Sequence, residues 1–266
     1  MMTLLEACLL YSKYTLEHPN CVINDALNTW DETARYHLNQ PFVGDITVNN
    51  IIDQLNICFE HYGQQKDREV DYMMGLLTPN QHTINQHFWT LYYESPTKAT
   101  QFLYNLGKRN QYIQTEKIKR NQQFYSQSLI ITINLSKEEK DNKQIAQMAK
   151  KVVYTYPKCV LCYENVGYKG EGQQPPRSTL RVAELTLDGE PWFMQYSPYP
   201  YFEEHAIFID KTHRPMKVDG QTITQLIEIV DLFPDYFVGS NAAMPIIGGS
   251  ILSHAHFQGG KRPDFP

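Results

Sequence analysis

The pattern of hydrophobic and polar positions divides the 266-residue chain into two parts. In the N-terminal part, apolar residues recur at every third or fourth position, a spacing typical of amphipathic helices. One such face carries Ile51, Ile52, Leu55, Phe59 and Tyr62. This part therefore predicts a small helical bundle or helical appendage, and nothing in it indicates chemistry.

Several short signals predict where these helices begin and end. Thr78-Pro79 and Ser95-Pro96 each place a capping side chain before a proline at the first helical position. Gly107 follows an apolar run and predicts a helix end. A capping box at Ser136–Glu139 predicts another helix, which runs to about Lys151.

Short apolar strands dominate the chain from Val152 onward. They are VVYTY, LRVAELTL, PWFMQY, HAIFID, DYFVG and PIIGGSIL, with an earlier strand, SLIITIN, and one late helix, Thr222 to Phe233. Successive strands leave no room for crossover helices, so the pattern favours an α+β fold with a largely antiparallel sheet. We place a mainly helical region at 1–140 and the sheet domain at 141–266, with the boundary between Ser126 and Tyr156.

Composition and charge exclude several classes of protein. The net charge is −5 and no segment is rich in lysine or arginine, which argues against nucleic-acid or anionic-membrane partners. Glu6 interrupts the apolar start, which lacks the basic front of a secretion signal, and no window predicts a membrane span. Five cysteines are an odd number for a disulfide framework. These features predict a cytoplasmic protein.

Cys159-Val-Leu-Cys162 is the first candidate for chemistry. A two-residue spacing lets both thiolates reach one tetrahedral zinc, and it equally suits a redox pair or two buried cysteines. A redox pair needs a following helix N-terminus, and the glycine-containing stretch after Cys162 argues against one.

The histidines of the strand-rich part are the second candidate. His205 and His213 lie at opposite ends of one predicted strand, so they do not bind the same ion. His254 and His256 point to one face if their segment is extended. They could bind one metal together, or one could bind metal while the other faces a substrate, or they could be a packed pair.

The surroundings of the last histidine pair indicate a phosphate. Gly248, Gly249 and Ser250 precede the pair, and glycines allow phosphate oxygens to approach backbone N–H groups. Gln258 shares the face of His256, and its carboxamide can donate to a phosphoryl oxygen. A histidine with its ordinary pKa of about 6.5 keeps a free lone pair near neutral pH, as a nucleophile requires.

Three stretches together resemble a known family. They are YPKCVLCYENVGY, QYSPYPYFEEHAIFIDKTHRPM and GSNAAMPIIGGSILSHAHFQGG. From Tyr156 to Gly260 the chain is similar to the galactose-1-phosphate uridylyltransferase family, in its bacterial branch with a long helical N-terminal region, within the histidine triad superfamily. The resemblance implies that 141–266 is a histidine triad-like nucleotidyltransferase domain.

The resemblance implies a ping-pong exchange between UDP-glucose and galactose 1-phosphate through a uridylylated histidine. His256 matches the nucleophile and Gln258 the glutamine that binds the transferred phosphoryl group. Ser250 and Asn241 match further phosphate contacts. Cys159, Cys162, His213 and His254 resemble the ligands of a structural zinc, with iron as the alternative metal, and His205 is expected to pack behind the site.

The remaining expectations concern the substrate wall and the chain ends. The aromatic stretch from Tyr196 to Phe202 suits a nucleoside wall or ordinary strand packing. The chain departs from the family at Ala255, where an acidic residue or proline is expected, and at Pro266, where family members continue. We therefore expect a fragment or a shortened product. Because the family is dimeric, we also expect a homodimer.

Two alternative functions remain open. The chain could be another histidine triad hydrolase or adenylyltransferase, or a non-catalytic zinc-stabilised nucleotide-binding module.

Overall fold

A computed structural model describes residues 71, 74–75, 78–126, 129–133, 135, 157–168, 170, 174–200, 202–243 and 251–261. The helices are α1 (Gln81–Glu94), α2 (Pro96–Arg109), α3 (Thr115–Ile118) and α4 (Gly220–Leu232), with a short 3-10 helix at Tyr163–Asn165. The strands are β1 (Gln122–Ser126), β2 (Leu129–Ile133), β3 (Ala183–Leu187), β4 (Glu190–Tyr196), β5 (Ala206–Asp210), β6 (Tyr236–Ser240) and β7 (His256–Lys261).

Five of these strands form one antiparallel sheet in the order β3-β4-β5-β7-β6. The predicted α+β class with a largely antiparallel sheet is confirmed for the described residues. The last strand, β7, lies between β5 and β6, and Gln258 is opposite Ile207 on one side and Gly239 on the other. Residues of β7 therefore contact residues from both neighbouring strands.

The β3–β4 hairpin shows how local sequence sets the register. Asp188 and Gly189 both have positive φ, 49° and 74°, as a two-residue hairpin turn of the right twist requires. Every second residue of β3 is buried, because one face of the strand lies on the core. A second hairpin pairs β1 with β2. The sequence predicted β2 but not β1, whose residues QQFYS are mostly polar.

Helix α1 begins later than the sequence predicted. Its N-cap is Asn80, whose side-chain oxygen accepts the Thr83 N–H at 2.9 Å. Thr78 does not cap the helix, because its hydroxyl donates to the Met74 carbonyl oxygen at 2.7 Å. The Ser95-Pro96 signal is confirmed as the start of α2, with proline in the first turn, but the Ser95 side chain makes no capping hydrogen bond.

The prediction that Gly107 ends a helix was wrong. Helix α2 continues through it to Arg109. A Cβ at this position would lie 3.0 Å from the Ile113 side chain, which folds back against the helix. The glycine therefore permits close packing and does not mark a stop.

The core joins α1, α2 and α4 to the sheet. Its largest fully buried side chains include Trp192, Tyr236, Phe88, Phe193, Phe208 and Phe233. The predicted late helix is confirmed as α4, which Asp219 caps through a capping box with Thr222.

Other predictions lie outside the described residues. These are the helical face at 51–62, the capping box at 136–139, the strand VVYTY, the domain boundary, most of the strand PIIGGSIL, and Gly248, Gly249 and Ser250. Among the helices that the structure describes, none has the length and apolar character of a membrane span.

Candidate functional site

The Cys159–Cys162 segment folds as a tight turn around a buried asparagine. The Asn165 side-chain amide donates to the Cys159 carbonyl oxygen at 2.8 Å and to the Cys162 carbonyl oxygen at 2.9 Å. A single 3-10 turn, Tyr163–Asn165, follows. This turn lacks the helix N-terminus that lowers thiol pKa values in redox pairs, so the geometry favours the metal interpretation.

Four side chains bring their ligand atoms together at this turn. The sulfur atoms of Cys159 and Cys162 and the Nδ1 atoms of His213 and His254 all lie within 4.8 Å of one another. The two sulfurs are 3.6 Å apart, and each has a histidine Nδ1 at 3.2 Å. A tetrahedral zinc requires S···S and S···N separations of about 3.8 and 3.6 Å. This Cys2His2 group could therefore hold a metal ion without large rearrangement.

The two histidines reach the cysteines from loops that are bonded to each other. His213 follows β5, and His254 lies in the turn before β7. The Asp210 carbonyl oxygen is 2.8 Å from His254 Nε2, and the Arg214 carbonyl oxygen accepts the Ala255 N–H at 2.7 Å. Backbone bonds therefore fix both histidine loops relative to one another.

Hydrogen bonding polarises the thiols. Donation from Cys159 lowers the pKa of the Cys162 thiol, and a hydrogen bond from His213 lowers it further. The hydrogen bond between the two sulfurs raises the pKa of the Cys159 thiol. One thiolate is thus stabilised by the cluster itself, and a dication would stabilise both.

A surface cluster that the sequence analysis missed braces the cysteine turn. The Tyr163 hydroxyl donates to Glu184 Oε1 at 2.5 Å, and Lys211 binds the other Glu184 oxygen at 2.9 Å. The Lys211 ammonium also lies 4.0 Å from the centre of the Tyr163 ring. No local motif signals this contact, because its members come from three distant segments.

His256 is oriented differently from His254. It is the first residue of β7, whereas His254 precedes the strand, so the two are not successive members of one strand face. The His256 Nδ1 atom is 2.8 Å from the His254 carbonyl oxygen, and its Nε2 atom is 3.2 Å from the Asn241 side-chain nitrogen. Burial lowers the pKa of His256, which favours the neutral imidazole.

Gln258 and Asn241 lie beside His256, and the position of Gln258 agrees with the predicted alternation along β7. The Gln258 amide nitrogen donates to Asn241 Oδ1 at 3.3 Å, and its Oε1 atom is 3.0 Å from His205 Nε2. Asn241 comes directly after β6 and His205 directly before β5. The structure thus brings four sequence candidates together. It also confirms that His205 and His213 occupy separate places.

Tyr196 lies in the core and not in an open site. Its side chain is 3% exposed, and its hydroxyl lies 2.7 Å from the Tyr236 hydroxyl and 3.0 Å from the Thr100 carbonyl oxygen. Helix α2 covers it through Tyr104. Strand packing, the alternative that the sequence left open, describes this location. The tyrosine hydroxyl is satisfied by the core, so the ring is not exposed to a nucleoside.

Comparison with known proteins points to one family. The sequence profile for galactose-1-phosphate uridyl transferase, N-terminal domain, matches residues 15–215. A galactose-1-phosphate uridylyltransferase of Lactiplantibacillus plantarum is 50% identical over 208 residues, which are 76% of this chain and 42% of that protein. The protein of the same name from Pediococcus pentosaceus is 50% identical over 227 residues, 82% of this chain and 47% of its own.

A relative of lower sequence identity matches a similar share of this chain and of its own length. The galactose-1-phosphate uridylyltransferase of Staphylococcus carnosus is 45% identical over 215 residues, 79% of this chain and 43% of that protein. The chain therefore spans less than half the length of the curated relatives it matches. No solved structure is significantly similar to it.

Proposed function

The chain belongs to the galactose-1-phosphate uridylyltransferase family, and we propose that it transfers a uridylyl group between UDP-glucose and galactose 1-phosphate. The reaction proceeds in two steps through a covalent intermediate on His256. Because the chain spans less than half of its relatives, its activity alone is part of this proposal.

The observation that carries the proposal is the pair of contacts made by the His256 ring. Nδ1 faces the His254 carbonyl oxygen at 2.8 Å, and only a protonated Nδ1 can satisfy that oxygen. The neutral ring then has its lone pair on Nε2, which faces the Asn241 amide. The backbone therefore selects the tautomer with a nucleophilic Nε2.

In the first step, Nε2 forms a bond to the α-phosphorus of UDP-glucose. The bond from that phosphorus to the bridging oxygen breaks, and its electron pair leaves with glucose 1-phosphate. The ring becomes a uridylyl imidazolium, whose Nδ1–H continues to donate to the His254 carbonyl oxygen. In the second step, a phosphate oxygen of galactose 1-phosphate attacks the same phosphorus, and Nε2 leaves with its electron pair.

Neutral donors surround the transferred phosphoryl group in this proposal. Gln258 and Asn241 present amide N–H groups beside Nε2 and stabilise the charge on the phosphoryl oxygens without protonating the nucleophile. Gly248, Gly249 and Ser250 remain predicted phosphate contacts.

We also propose that the Cys2His2 group holds a structural zinc. Four protein ligands close a tetrahedral shell, so the ion would tie the cysteine turn to the loop before β7 and supply no open position for chemistry. The wider expectations, a histidine triad-like domain at 141–266, a homodimer and a cytoplasmic location, stay proposals. A cytoplasmic location suits the free thiols of Cys159 and Cys162, because the cytosol keeps thiols reduced and available as metal ligands.

The covalent step can be tested by intact mass measurement after incubation with UDP-glucose. The expected product is a uridylyl adduct that maps to His256, is absent in His256→Ala, and is removed by galactose 1-phosphate. His82→Ala, an exposed histidine on α1, is the matched control and should form the adduct.

Two other results would contradict the proposed uridylyl transfer and indicate a different function. An adduct from an adenine nucleotide and none from UDP-glucose would indicate a different histidine triad enzyme. Nucleotide binding without any adduct would indicate a zinc-stabilised binding module.

A further inference from the structure

Four side chains form a continuous hydrogen-bonded row across three neighbouring strands. It runs from His205, before β5, to Gln258 on β7, to Asn241, after β6, and back to His256 on β7. It ends at the His254 carbonyl oxygen. The separations between bonded atoms are 3.0, 3.3, 3.2 and 2.8 Å.

The direction of every bond in this row follows from its last member. The His254 carbonyl oxygen only accepts, so His256 Nδ1 carries hydrogen and, in the nucleophilic form, Nε2 accepts. Asn241 must then turn its NH2 group toward His256 and its oxygen toward Gln258. Gln258 in turn must present its own NH2 group to Asn241, which leaves its oxygen facing His205.

We infer that His205 is a positioning residue, which holds the Gln258 carboxamide in the orientation that phosphoryl transfer requires by donating from Nε2 to Gln258 Oε1. This inference rests on the proposed function. Without the donor, the amide could rotate by half a turn and present its oxygen toward the phosphoryl group, where two oxygens repel. The direction of the hydrogen bonds in the row thus depends on His205 as well as on His256.

The surroundings of His205 hold its ring in place. The residue is 2% exposed, and the Phe202 ring lies against it with centroids 4.4 Å apart. The Ser197 N–H donates to the His205 carbonyl oxygen at 2.8 Å. Gly260 makes room for this arrangement, because a Cβ there would overlap the Phe202 ring.

Two substitutions of His205 separate the effect of its Nε2–H donor from the effect of its aromatic ring. His205→Phe keeps an aromatic ring against Phe202 and removes the donor, whereas His205→Gln places an amide N–H near the position of Nε2. We expect the rate of uridylyl adduct formation in a single turnover to fall about tenfold in His205→Phe and less than threefold in His205→Gln. Binding of uridine nucleotides and thermal stability should change little in His205→Gln.

A spectroscopic measurement on the unsubstituted protein tests the same inference without catalysis. In protein with 15N-labelled histidine rings, His205 should carry its proton on Nε2. The signal is assigned by its loss in His205→Gln. Proton on Nδ1 alone would mean that Gln258 donates to His205, and the inference would be wrong.

The outcomes distinguish this inference from the proposed function. An adduct that forms equally fast in His205→Phe and in the unsubstituted protein overturns the role of His205 alone. A slower adduct in both variants, with equal losses of stability, shows that His205 only supports the fold. If the unsubstituted protein forms no adduct, the proposed function fails, and the proton position on His205 still decides the direction of the row.

Discussion

His254 donates from Nε2 to the carbonyl oxygen of Asp210, with 2.8 Å between the two atoms. The opposite ring nitrogen, Nδ1, is therefore unprotonated in the neutral ring and faces the Cys159 sulfur at 3.2 Å. Such a second contact commonly fixes the tautomer of a metal-binding histidine. Because Asp210 ends β5 and His254 precedes β7, the bond also aligns the metal cluster with the strand that carries His256.

The first prediction concerns metal content. Protein purified without chelator should contain about one zinc per chain. Cys162→Ser should lose most of it, because the cluster then offers three good ligands. Removal of the metal should lower the thermal midpoint by several degrees, since a ligand at 1,000 times its dissociation constant stabilises the folded state by about 4 kcal/mol. Elemental analysis and thermal denaturation with and without chelator measure both effects.

Val160→Ser is the control for that experiment, because Val160 lies in the same turn and is exposed. It should retain the metal. A full metal content in Cys162→Ser, or none in the intact protein with its fold preserved, would contradict the four-ligand assignment, and bound iron would correct only the identity of the ion.

The second prediction concerns pH. Burial lowers the pKa of His256, so the neutral, nucleophilic ring persists to a lower pH than an ordinary histidine with a pKa of about 6.5. The rate of adduct formation should therefore stay constant as the pH falls from 8 through about 6.5 and should decline only below that value. Rapid quenching at each pH, followed by intact mass measurement, gives the rate.

Metal loss at low pH would mimic this decline, so metal content must be measured on the same samples. A rate that falls with a midpoint above about 6.5 while the metal is retained would show that His256 is more basic than its burial implies.

Much of the sheet could be predicted from the sequence, because each strand carries its own pattern. PWFMQY and HAIFID appear as β4 and β5 within one residue of their predicted bounds. Features that depend on distant partners could not be predicted. Gly107 was predicted to end a helix, but it lies within α2, where the Ile113 side chain packs against it. The sequence left open whether Tyr196 forms a nucleoside wall or packs in the core, and its contacts with Tyr104 and Thr100 of α2 place it in the core.

The candidate site also has features that local sequence could predict and features that depend on distant partners. The Cys-x-x-Cys spacing and the alternation of His256 and Gln258 along β7 are local, and they predicted chemistry. The contacts of His205 with Gln258 and of Glu184 with Tyr163 join segments far apart in sequence. Their residue types are common in any protein, so only the folded arrangement distinguishes them.

The third prediction compares two glycines on adjacent strands. Gly260→Ala should destabilise the protein by about 1–3 kcal/mol, because its Cβ would overlap the Phe202 ring. Gly239→Ala should be neutral or stabilising by up to about 1 kcal/mol, since a Cβ there meets nothing within 4 Å. Urea denaturation measures both. Equal effects would show that Phe202 moves aside at no cost, and Gly260 would then have no structural role.

The fourth prediction concerns Glu204, a buried carboxylate next to His205. It has a φ of 49°, and its two oxygens accept from the Tyr236 hydroxyl at 2.5 Å and the Lys261 ammonium at 3.1 Å. Glu204→Gln turns an NH2 group toward one of these donors, so it should cost about 1–3 kcal/mol of unfolding free energy. Glu94→Gln is the control. It breaks an exposed helix pair and should cost less than about 0.5 kcal/mol. Urea denaturation compares the two variants, and similar losses would mean that the Glu204 carboxylate does not hold the loop that carries His205.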